Sequence, residues 1–246
     1  MVNILGAVLS FRVRALRTSF GRLTAAHCLA EAGVLFFFAF WAAPLTFFDW
    51  DEDDSLLGKR MGQATNYFWF VGLYSQLFIA LNRFSFIFVP KIYSSIFEKR
   101  IDMLIVGYWG LCLIHWAVYF GDGCDFFFNS VYFYWQYSTS TCGQIVSLYL
   151  DLIFGCSFCV IVLALDISCM VRVHTSNMVI GDALSTREQE KRSKKELKFL
   201  IQACCTGALF TFMIASFNLF SRFFKNTWAV YITTTFIWEL GHLGDG

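Results

Sequence analysis

Residues Leu77–Phe97, LFIALNRFSFIFVPKIYSSIF, set Asn82-Arg83-Phe84 near the end of a long apolar segment. The run continues through Phe88 and stops at Pro90, and a basic turn with Lys91, Tyr93 and Phe97 follows. Proline stops a helix because it lacks an N–H and disfavours helical geometry in the residue before it. An ionisable group inside such a segment is costly. Arg83 is therefore either a side chain that snorkels to the interface or a functional group. A lone Arg in a lone span would favour the first reading. The rest of the chain shifts the balance.

The 246 residues are 57% apolar and 15% charged, with 30 Phe and two Pro. Soluble domains run at about 45–50% apolar and about 25% charged, so this is a membrane chain. Mean hydropathy is +0.57. A crossing needs about 20 mostly apolar residues. Six segments meet or approach that: 23–48, 64–89, 101–120, 143–171, 197–220 and 228–246. Val2–Phe11 is about half a span and reads as a shortened first helix, which makes seven crossings. No cleavable leader is expected, since no basic stretch precedes that piece and no small-residue cleavage site follows it.

The loops assign orientation. Of the 19 Lys and Arg, only Lys59, Arg60, Arg222 and Lys225 fall on one side. The others gather in alternate loops: Arg12 to Arg22, Lys91 to Arg100, and the basic run Arg172 to Lys198, with Arg83 on the same side. The positive-inside rule puts that set in the cytoplasm and the N-terminus outside. The segment Asp49–Asp54 is acidic, and the loop after the fourth span is aromatic with Asp122 and Asp125. Of nine cysteines, Cys124 and Cys142 alone lie in an outer loop, the oxidising side, where a disulfide between them is expected. The pair Cys156-x-x-Cys159 lies in an apolar span and reads as core packing.

Polar residues recur inside the spans. Ser75, Gln76, Asn82 and Arg83 repeat at seven residues, two helical turns, and so share one face. Glu31, Asp151, Asp166, Gln202 and Thr206 lie within other spans. The last span carries Thr233 to Thr235, Trp238, Glu239 and His242. Each alone suits an interhelical hydrogen bond; together they predict a wet interior, a pocket or a switch. Glu239-x-x-His242 has the spacing of half a di-iron site, but no second copy exists, so no metal is expected. No catalytic triad, Gly-rich phosphate loop or paired carboxylates appear, so neither an enzyme nor a cofactor is expected. Nothing in the charge pattern points to nucleic acid.

The motifs resemble a family, the nematode serpentine chemosensory G-protein-coupled receptors of class X. Ser19-Phe20-Gly21-x-Leu23-Thr24 and Pro44 look like the start and exit of its second helix. Leu81-Asn82-Arg83-Phe84, Pro90, Tyr93 and Ile96-Phe97 are similar to the cytoplasmic end of its third. Cys124 and Cys142 bracket the aromatic loop as its two loop cysteines do, and Tyr149-x-Asp151 follows. Lys194-Lys195-Glu196, Phe199 and Gln202 resemble its sixth helix, and Phe236-x-Trp238, His242 and Asp245-Gly246 its seventh. No cysteine lies near the top of the third helix to bind the second outer loop. Asn82 stands where many rhodopsin-like receptors carry an acid, so Arg83 is expected to lack its nearest counter-charge.

The resemblance implies an all-α, rhodopsin-like seven-transmembrane bundle over 1–246 with truncated first and last helices, multi-pass in the plasma membrane. It implies a small-molecule ligand, a heterotrimeric G protein and the lipid bilayer as partners. Asn82, Arg83, Phe84 and Tyr93 are the expected coupling residues. Gln76, Asp151, Gln202, Trp238 and His242 are candidate ligand or switch residues. Two other functions stay open. A transporter or channel would use the polar spans as a pathway, although repeats and broken helices are not seen. A truncated receptor fragment without function is the other.

Overall fold

The computed structural model describes residues 2–13, 17–48, 55–181 and 187–244, and leaves undescribed the side chains of residues 176–200, 203 and 222. The acidic segment Asp49–Asp54, Asp245-Gly246 and the side chains of Arg187–Lys198 lie outside that set.

The helices are α1 Val2–Arg12, α2 Ser19–Phe48, α3 Leu56–Phe88, α4 Ile101–Val118, α5 (residues 141–181), α6 Arg187–Asn218 and α7 (residues 227–244). Among the described residues, four are long and apolar enough to cross a membrane: α2, α3, α4 and Thr141–Thr175 of α5. Val2–Arg12 and Cys204–Asn218 are shorter apolar helices.

Helix α3 begins eight residues earlier than the hydropathy pattern predicts. Ser55 caps it, its hydroxyl accepting from the Gly58 N–H at 2.9 Å, and such a cap satisfies one of the orphan N–H groups of a first turn. Lys59 and Arg60, read as loop residues, therefore lie in its first two turns. Thr18 caps α2 and Ser140 caps α5 in the same way. Helix α2 runs on past Pro44, and its backbone widens at Phe38–Ala42 just before that proline.

Helix α3 is the axis of the bundle. It packs against α2, α4 and α5, and 56% of its most apolar stretch is buried, more than in the other three long helices. Helix α7 touches α2 and α6, and α1 lies on α2. The polar face anticipated on α3 turns inward: Ser75, Gln76 and Asn82 are buried.

The aromatic loop is not irregular. It forms a hairpin of β1 Phe126–Asn129 and β2 Tyr134–Tyr137, pairing Phe126 with Tyr137 and Phe128 with Trp135. Phe126, Phe128 and Trp135 alternate into the core, the period-two pattern of a strand with one covered face. The Asn129 carboxamide oxygen accepts from the Tyr132 N–H at 2.9 Å and tightens the turn. Cys124 and Cys142 form a disulfide that closes the base of the hairpin. Gly62 of α3 lies under the Phe126 carbonyl so closely that a Cβ there would overlap it. The hairpin can sit down on α3 because residue 62 has no side chain.

Candidate functional site

At the hairpin end, a narrow cavity opens between α3, α5, α6, α7 and the strands. So narrow a space suits a compact occupant. Trp69, Phe126, Phe217 and Trp238 supply aromatic wall, and Asn66, Tyr137, Asp151 and Asn218 supply the polar groups. Trp69 and Trp238 meet edge to face at 6.0 Å, and Trp238 reaches Phe126 at 6.2 Å. Such edge contacts fix ring orientation through the quadrupole as well as by area.

Asp151 is buried in α5 within a widened stretch, Val146–Ile153. π-type turns of this kind occur often at functional sites. Comparable widened turns occur in α2 at Phe38–Ala42 and in α7 at Ile232–Phe236. The Asn218 side-chain amide donates to the Asp151 carboxylate at 2.9 Å, and Ser147 donates to the Asn218 carboxamide oxygen at 3.4 Å. Thr235 of α7 donates to the Phe133 carbonyl at 2.8 Å, fastening the hairpin to the last helix. Tyr137, on the hairpin, is pushed well above the ordinary tyrosine range, first by burial and then by the charges of Asp151 and Tyr119. Its phenol therefore stays protonated beside the carboxylate.

Below the cavity, His242 lies against Trp69 and Trp238, with ring centroids 5.7 and 5.8 Å away. Its Nδ1 bonds to the Glu31 carboxylate of α2. Asn3 of α1 donates to the His242 carbonyl at 3.0 Å, so three helices meet there.

At the opposite end, Arg83 binds Asp166 of α5 with two guanidinium nitrogens. Nε donates to Oδ1 at 3.1 Å, and Nη2 donates to Oδ1 and Oδ2 at 2.7 and 2.9 Å. Asp166 is fully buried, while one fifth of the Arg83 side chain is exposed. Sequence reasoning left Arg83 without its nearest counter-charge. The structure corrects this: the acid comes from another helix, 83 positions along the chain, instead of from the adjacent residue. Asn82 donates to Ser19 of α2 at 3.0 Å, and Ser19 shares a hydrogen bond with Tyr93 at 3.1 Å. Phe84 stacks on Phe88 at 4.5 Å and takes no part in that network.

Of the candidate ligand or switch residues, Asp151 and Trp238 line the cavity and His242 supports its floor. Gln76 is buried on α3 but lies outside the lining, and Gln202 is exposed on α6. Asn66 and Trp69 take the place expected of Gln76. Asn218 and Glu31 were the residues least visible beforehand as partners, because their pairings cross 67 and 211 positions of chain.

A family model described as serpentine type 7TM GPCR chemoreceptor Srx matches residues 1–246. The chain belongs to that family. It is similar to serpentine receptor class X 45 of Caenorhabditis elegans, at 26% identity over 96% of this chain and 70% of the relative. The Srx chain is thus an integral, multi-pass, all-α membrane protein of a family of seven-helix chemoreceptors.

Proposed function

We propose that this Srx chain is a chemosensory receptor that holds a small environmental molecule in the hairpin-covered cavity and signals to a heterotrimeric G protein from its Arg83 end. Residues 1–246 form one seven-transmembrane domain in the plasma membrane, with the N-terminus and hairpin outside and the basic run inside. One observation carries the reading. The cavity and the Arg83–Asp166 clamp occupy opposite ends of the same two packed helices, α3 and α5. Asp151 and Asp166 are 15 positions apart on α5, about 22 Å along a helix at 1.5 Å per residue.

A ligand that binds one packing of these helices better than another shifts the population by that difference alone. In the closed packing Arg83 is occupied by Asp166. In the other it is released, with Asn82 and Tyr93, to face the G protein.

The test is expression of the receptor at the surface of a cell carrying a G-protein reporter, followed by a screen of small volatile and water-soluble compounds. The reading expects at least one compound to raise the signal, and expects Arg83→Ala to abolish that response with surface expression intact. A response unchanged in Arg83→Ala refutes the coupling role.

A further inference from the structure

The geometry points to a compact organic ammonium ion as the ligand class of the cavity; this rests on the receptor reading above. Asp151 is buried, and among the described residues no cationic side chain pairs with it; its carboxylate accepts hydrogen bonds from the neutral side chains of Asn218, Trp69 and Tyr137. The cations of α3 are committed elsewhere: Lys59 pairs with Asp125, Arg60 donates to Gln63 and lies over the Phe120 ring, and Arg83 binds Asp166 at the other end of the bundle. Buried carboxylates are ordinarily stabilised by a cation, and here a ligand is what can provide one.

The walls agree. Trp69, Trp238, Phe126 and Phe217 surround the space with ring faces and edges. Aromatic rings attract ammonium groups through the ring quadrupole, and alkylated ammonium ions are the ones that gain most from an aromatic enclosure. A hard inorganic cation is ordinarily held by several carboxylates, and Asp151 is the one acid in the lining. Acid and rings together select a compact organic cation.

The experiment uses the purified full chain in detergent, without a G protein, and reads tryptophan emission and the thermal unfolding midpoint. The probe is choline chloride. Its controls are 3,3-dimethylbutan-1-ol, which has the same shape without the charge, and sodium chloride at equal ionic strength. The inference expects a saturable emission change with choline, at least tenfold tighter than with the neutral isostere, and at least a tenfold loss in Asp151→Asn. Equal responses to choline and the isostere in the wild-type chain overturn it, and that comparison does not depend on the folding of any variant. Reproduction of the effect by sodium chloride overturns it as well. If choline binds as expected while no ammonium compound alters signalling in cells, the ligand class stands and the receptor reading falls. If neutral compounds alone activate the receptor and choline does not bind, the ligand class falls and the receptor reading stands.

Discussion

His242 of α7 bonds through Nδ1 to Glu31 of α2, at a place where both side chains are closed to solvent. The contact joins residues 211 positions apart, so it ties the last helix to the second. Removing one member of a buried pair leaves the other uncompensated, at about 3–5 kcal/mol. His242→Ala is expected to lower stability by that order and Glu31→Gln by less, since a carboxamide still offers an oxygen. Thermal unfolding of the purified chain in one detergent checks both; a His242→Ala midpoint equal to wild type refutes the structural weight given to the pair.

The Arg83–Asp166 clamp makes a prediction of opposite sign. A bidentate guanidinium–carboxylate pair is charge-assisted and directional. Asp166→Asn keeps shape but loses the charge, so the packing that holds Arg83 is weakened. Basal signalling in the G-protein reporter cell is expected to rise several-fold, while Arg83→Ala lowers it. No rise in Asp166→Asn at matched surface expression would show that the pair is structural only.

These two pairs also show where sequence reasoning stops. The crossing segments were visible as apolar runs, because lipid requires them. Arg83 was visible as a costly residue at a span end. Its partner was not, since Asp166 is 83 positions away and only packing of α3 on α5 brings them together. The hairpin was hidden for a different reason. Phe126–Tyr137 is so rich in aromatic residues that the alternation is visible only once burial separates Phe126 and Phe128 from Phe127. Gln202 failed as an interior residue because spacing to Thr206 fixes a face but not which way it points.

The disulfide supports a third prediction. Cys124 and Cys142 enclose the hairpin over 18 positions, and closing a loop of that order is worth about 3 kcal/mol in the chain-entropy model. Cys124→Ser with Cys142→Ser should lower the unfolding midpoint and increase quenching of Trp135 by acrylamide. Unchanged quenching would mean that packing on α3 and the Thr235–Phe133 bond hold the hairpin unaided.

Gly62 gives a sharper test of how that hairpin is seated. A Cβ at 62 would run into the backbone carbonyl of Phe126, and a backbone atom cannot rotate aside. Gly110 on α4 has nothing within 4 Å of the same added atom. The two changes to Ala carry the same helical propensity gain, on the order of 1 kcal/mol. Their difference therefore isolates contact with the hairpin. Gly110→Ala is expected to be neutral or slightly stabilising. Gly62→Ala is expected to cost about 1–3 kcal/mol, the usual cost of overpacking, and to displace Phe126 from the cavity wall, so choline affinity should fall with it. Equal unfolding midpoints for the two variants would show that the hairpin does not rest on α3 at this point, and the enclosed cavity would lose its lid.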